Sequence, residues 1–168
     1  SIGGLVGFQG SWGDAKVEYS YYAGTISAEG AINVGGFIGF DENAPTYTSN
    51  YWDHDLNSTL SSVGNSGEVT GITPKTTAEM QQQATFDNWN FDYIWSINEG
   101  VSYPTLLTDC YVWTGAGATN NWSEAANWNT GVAPDASARV FFDDTSVIDS
   151  IIDVDYTIAS LTILPGYT

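Results

Sequence analysis

A six-residue phrase that occurs twice near the start of this chain limits its fold more than any other feature. Gly3-Gly4-Leu5-Val6-Gly7-Phe8 returns as Gly35-Gly36-Phe37-Ile38-Gly39-Phe40, 32 residues later. A repeat of that length is too small to bury its own apolar face, so successive copies are expected to stack on one another. Between the copies, Val17 to Tyr21 alternates by residue type. Thr25-Ile26-Ser27 sits between Gly24 and Gly30. Both read as short strands, and Val34 to Phe40 supplies a third. Three short strands per repeat, with glycines at the corners where other residues do not fit, predict one turn of a three-sided coil. The expected fold class is therefore all-β, a right-handed parallel β-helix, or solenoid. Leu5, Phe8, Phe37 and Phe40 fall at core or core-edge stacking positions.

The rest of the chain reads as a closing segment followed by a second module. Residues 41–75 are irregular. Thr77 to Ala84 is the one helical stretch, with Thr76 or Thr77 as its cap and Glu79 in its first turn. An aromatic cluster follows, running from Phe86 and Trp89 through Trp95 to Tyr103, and it suits a plug over the end of a stack. A new pattern begins near Thr108–Tyr111. Residues 1–107 are thus expected to form the repeats and their closing segment. Residues 108–168 are expected to form a second β-rich module that either continues the solenoid or stands apart.

Charge narrows the function classes. The 168 residues carry 20 acidic side chains against three basic ones, a formal net charge of −17. Nucleic acid needs a basic surface, and anionic lipid does too, so neither is an expected partner. No apolar run is long enough to span a bilayer, so no membrane insertion is expected. Cys110 is the single cysteine, which excludes an internal disulfide. Ser1 opens inside a repeat, so the chain reads as a segment of something longer.

These motifs together resemble the GLUG repeat of large secreted or surface-attached bacterial proteins. The resemblance rests on the paired Gly-Gly phrases and on an ordered series after them. That series is Asn50-Tyr51-Trp52-Asp53, Gly71-Ile72-Thr73, Lys75 to Met80, Trp89-Asn90-Phe91, Ile94 to Ile97 and Ser102 to Leu106. Residues 111–168 are similar to the opening of modules in large exported adhesin or autotransporter proteins, through Trp113-Thr114-Gly115, Trp122, Asn127-Trp128 and Pro134. The resemblance implies a β-helical stalk or adhesive surface, located outside the cell or on it, with no catalytic residues to carry over.

Candidate chemistry is sparse. Asp53, Asp55 and Asn57 place oxygen ligands at alternating positions, as the start of a calcium loop would, but Ser58 and Gly64 replace its glycine and closing glutamate. Ca2+ is the cofactor such a set would take. His54 is the only histidine, and no serine sits in a nucleophile-elbow context. Asn57-Ser58-Thr59 and Asn121-Trp122-Ser123 match the glycosylation sequon. Tyr19, Tyr21, Trp52, Trp122 and Trp128 are the aromatic candidates for gripping a host or matrix glycan or protein. The leading expectation is a non-enzymatic structural or adhesive segment giving a rigid acidic scaffold. A subunit of a head-to-tail filament, stacking on neighbouring copies, and a carbohydrate-binding or carbohydrate-active β-helix are the alternatives.

Overall fold

The computed structural model describes residues 1–10, 15–43, 46–146 and 148–167. Ala44 and Pro45 of the irregular stretch, and Thr168, lie outside them. The chain divides into two compact units, Ser1–Thr105 and Leu106–Thr168.

The first unit is built from short parallel pairs. Its strands are β1 (Ile2–Gly3), β2 (Val6–Gln9), β3 (Lys16–Glu18), β4 (Tyr21–Tyr22), β5 (Val34–Gly35), β6 (Ile38–Asp41), β7 (Thr46–Thr48), β8 (Asn50–Asp53) and β9 (Ile72–Lys75). The repeated phrases lie side by side, with Ile2 opposite Val34 and Val6 opposite Ile38. Further along, β3 pairs with β7, and β8 lies between β4 and β9. Phe37, Ile38, Trp52, Val63 and Ile72 form the core of this assembly. A one-turn helix, α1 (Thr77–Met80), starts on a complete capping box between Thr76 and Glu79. It ends well short of the expected Ala84. The strands β10 (Trp95–Ser96) and β11 (Thr105–Leu106) form a further pair. The aromatic segment packs into a cluster of its own, with Phe86, Trp89, Trp95 and Tyr103 around Tyr21 and Tyr51, and it closes no stack, because no solenoid forms.

The second unit holds one parallel sheet of β12 (Cys110–Val112), β13 (Arg139–Phe142) and β14 (Ser160–Ile163), in that order. Its core is Trp113, Trp122, Trp128, Ala138, Val140 and Phe142.

The expected right-handed parallel β-helix is not what forms. Among the described residues the strands gather into six separate sheets of two or three strands, and none curls or closes into a continuous solenoid. The offset between partners explains why. It is thirty-two residues for Ile2 and Val34, thirty for Lys16 and Thr46, and twenty-two for Asn50 and Ile72, so no constant rung is kept. The rigid scaffold, the end-to-end filament and the β-helical carbohydrate protein were all inferred from a solenoid, and they fall with it. What stands is a β-rich chain of two compact units, each built on short sheets.

Local expectations are corrected too. Val17 to Tyr21 is broken where Tyr19 takes a φ of 48°. Thr25 to Ser27 is not a strand; the amide of Ile26 donates instead to the side chain of Asn57 at 2.8 Å. The phrase glycines are not at corners with positive φ. They permit close approach: a Cβ on Gly36 would lie 2.3 Å from the Trp52 ring, and one on Gly35 would lie 1.9 Å from the carbonyl oxygen of Ile38. Phe37 is fully buried, whereas Leu5 and Phe8 are exposed. Phe8 stacks on Phe40 at 5.6 Å on the outside of the unit.

Candidate functional site

The three candidate calcium ligands sit together near the end of β8, but their polar atoms are already engaged. Asp53 is fully buried. Its Oδ1 accepts from the amides of Asp55 and Leu56, and its Oδ2 accepts 2.7 Å bonds from Thr77 Oγ1 and Tyr103 OH. Burial, and next the bond to Asp53, push the Tyr103 phenol above its ordinary range. Asp55 accepts from the amide of Thr77. Asn57 donates to the carbonyl of Gly24 at 2.7 Å and accepts from Ile26. That buried amide is also the first sequon's asparagine. Among the described residues no group of three or more His, Cys, Asp or Glu side chains is placed to hold a metal ion. His54 packs edge-on to Trp52.

The aromatic candidates are dispersed, and most are interior. Trp52, Trp122 and Trp128 are buried, Tyr21 is half-buried within the aromatic cluster, and Tyr19 is exposed. A flat sugar-stacking platform needs an open ring face, which the three tryptophans lack. Cys110 is buried, and burial pushes its thiol up to about 11, so it stays protonated and unreactive.

One of these residues nevertheless marks a site. Among the described residues five tryptophans are buried: Trp52, Trp89, Trp113, Trp122 and Trp128. Four donate their indole N–H to a protein oxygen. Trp52 reaches Ser62 Oγ at 2.9 Å, Trp89 the Ser49 carbonyl at 2.8 Å, Trp113 the Ile148 carbonyl at 2.8 Å and Trp128 the Trp122 carbonyl at 2.9 Å. Trp122, only 3% exposed, has no partner for its Nε1 among the described residues. Ser150 Oγ is in the same condition. Both residues line one cleft of about 160 Å³ in the second unit.

The cleft is built by the local backbone. The amide of Trp122 donates to the Ile151 carbonyl, and the amide of Ile151 donates to the Asn120 carbonyl, both at 2.8 Å. These bonds fix Ser150–Ile152 beside Trp122. Phe142 at the end of β13 lies opposite Ile163 of β14. Its ring contacts Trp122 at 5.9 Å and Tyr167 at 4.9 Å. Ile152, Leu161 and Ile163 complete an apolar wall, and all three are more than half exposed. The result is an apolar hollow beside two residues whose polar atoms, Trp122 Nε1 and Ser150 Oγ, are sealed from solvent and have no partner among the described residues.

Asn121-Trp122-Ser123 and the echo at Asn127-Trp128-Asn129 were the available signal for this region. Nothing in the sequence separates Trp122 from Trp128. Only the fold shows that one indole N–H is satisfied and the other is not.

No family model matches this chain, and no solved structure matches it. The chain is 42% identical over 108 residues to a protein of Evansella cellulosilytica named "Putative Gly-rich membrane protein". The match covers 61% of this chain and only 11% of that protein. That name refers to neither an adhesin nor a GLUG repeat, which corrects those descriptors along with the solenoid. Among the described residues no helix is long and apolar enough to cross a membrane.

Proposed function

We propose that this chain is a non-catalytic recognition module that holds a neutral ligand in the cleft beside Trp122, and that it works at the bacterial cell surface. The observation that carries the reading is an open hollow of about 160 Å³ in the second unit, walled by Phe142, Ile152, Leu161 and Ile163, the last three of them more than half exposed. Covering those exposed side chains takes apolar surface out of water, which favours a compact uncharged ligand. The buried carboxylate of Asp53 supports binding over catalysis, because it already accepts four bonds from protein donors. The surface location draws support from the acidic composition and from the word "membrane" in the relative's name.

A ligand-observed NMR screen of small neutral compounds tests this, with hits mapped onto the indole N–H signals. Hits should shift the Trp122 signal and leave those of Trp52 and Trp113 in place. Hits that map away from Trp122, or turnover of any compound, would contradict the proposal.

A further inference from the structure

The first unit carries a second surface, independent of the cleft. Among the described residues β2 hydrogen-bonds to β6 alone, whereas β6 has β2 on one side and the parallel bridge from Ile38 to Val63 on the other. The two covered contacts in this order share one chemistry. The Phe37 carbonyl accepts from the amides of Leu5 and Val6 at 2.9 and 3.1 Å, and the Ser62 carbonyl accepts from those of Phe37 and Ile38, both at 3.0 Å. A Cβ on Gly39 would lie 2.6 Å from the Gly7 carbonyl oxygen, and one on Gly64 would lie 2.5 Å from that of Gly39. Glycine is needed where backbones pass that closely. Phe40 carries Phe8 on its face, with the rings 5.6 Å apart and 6° from parallel.

On its outer side the phrase at 3–8 offers the same groups with nothing against them. The Leu5 carbonyl, the counterpart of that of Phe37, accepts from no backbone amide among the described residues. Gly7 is the counterpart of Gly39, yet a Cβ there would come no closer to a neighbour than 3.7 Å, at the Ser1 carbonyl oxygen. Phe8 is 60% exposed. Sheet edges are commonly blunted by charge or proline. Residues 1–10 contain no charged side chain and no proline, in a chain with 20 acidic residues.

The segment that covers the phrase at 35–40 defines what fits the phrase at 3–8. It must bring consecutive amides to one carbonyl, a glycine carbonyl against a glycine, and a ring onto a ring. A second folded copy does not offer these groups. The matching side of each of its phrases is already covered, by residues 35–40 in one case and 61–64 in the other. We propose that the outer edge of β2 binds, in parallel, an extended uncharged segment of another polypeptide that carries the Gly-Gly-apolar-apolar-Gly-Phe phrase. Strand addition of this kind takes its affinity from main-chain hydrogen bonds and its specificity from the side chains.

The test titrates the full chain into a labelled peptide with the sequence of residues 1–10 and follows fluorescence anisotropy, with a scrambled peptide as control. The phrase peptide should bind saturably and the scrambled one should not. Gly7 has no positive φ, and a methyl there meets open space, so Gly7→Ala should leave the melting temperature unchanged. The incoming backbone must pass at that point, so the same variant should weaken the peptide by about tenfold or more. A peptide with its phenylalanine replaced by alanine should bind the unaltered chain roughly twofold to tenfold more weakly, through loss of the ring contact. That arm needs no change in the chain, so it holds even where Gly7→Ala disturbs folding. Absence of binding, equal binding of the scrambled peptide, or no effect of the lost ring would overturn the proposal. So would a folded Gly7→Ala chain that binds as tightly as the parent, the peptide then having displaced residues 1–10 or bound elsewhere. None of these outcomes bears on the cleft beside Trp122, which belongs to the other unit.

Discussion

Buried asparagines do the work at the residue scale that extra strands would otherwise do. Asn50 is fully buried. Its amide donates to the carbonyls of Val17 at 2.7 Å and Gly71 at 3.2 Å, and its Oδ1 accepts from the amide of Ser20 at 3.1 Å. Asn127 repeats the arrangement in the second unit, accepting from Gly117 and donating to Thr119 and Asn121. A side-chain amide presents the same donor and acceptor as a peptide, so it can satisfy backbone groups where a ladder stops. Asn50→Leu keeps a similar size but removes the side-chain partner of the Val17 carbonyl and the Ser20 amide, while the Gly71 carbonyl still accepts from the Asn50 amide at 3.0 Å. At about 1–3 kcal/mol for each of these two groups, softened by relaxation, the first unit should lose roughly 2–4 kcal/mol, read as a fall in the urea midpoint. An unchanged midpoint would show that these bonds carry no stability. Position along the sequence does not reveal which amides point inward, so Asn50 reads only as part of a motif. For the same reason Trp122 groups with Trp128, whose indole is satisfied at 2.9 Å by the Trp122 carbonyl.

Pairing at the element scale was more legible than architecture. The doubled Gly-Gly phrase pointed to the pairing that places Val6 beside Ile38, although the two copies differ in burial, Phe37 being interior and its counterpart Leu5 exposed. It also hid the reason for its glycines. Gly4 and Gly36 each face an aromatic ring, Tyr22 and Trp52, and those two rings are themselves partners in the β4–β8 register. Gly36→Ala would place a methyl 2.3 Å from the buried Trp52 ring. Overpacking of this kind costs about 1–3 kcal/mol, so the melting temperature should drop. Gly30→Ala, where nothing lies within 4 Å, should cost only the strain of its φ of 75°, and should therefore move the melting temperature less. A larger loss at Gly30 than at Gly36 would contradict the packing argument. The extrapolation from paired phrases to a solenoid failed at this scale. Only two copies of the phrase exist, and beyond them the partner offset shortens.

Acidity governs the whole molecule's response to pH. Glu79, Glu124, Asp135 and Asp153 are all held below the usual carboxylate range by hydrogen bonds they accept: from the Thr76 backbone, and from the side chains of Thr119, Ser137 and Ser123 respectively. A carboxyl depressed in the folded state contributes stability that is present above its unfolded value, near 4, and lost as pH falls through the folded one. The thermal midpoint should therefore decline progressively below about pH 4. A midpoint that keeps rising down to pH 2 would mean that relief of charge repulsion outweighs these bonds. Within this acidic chain the cleft beside Trp122 presents an exposed apolar wall of Ile152, Leu161 and Ile163. The most direct test is a crystal structure of the chain soaked with a hit from the neutral-compound screen. The proposed binding role predicts the compound seated against Ile152, Leu161 and Ile163. A cleft filled by the protein's own side chains, or by water alone at saturating ligand, would contradict it.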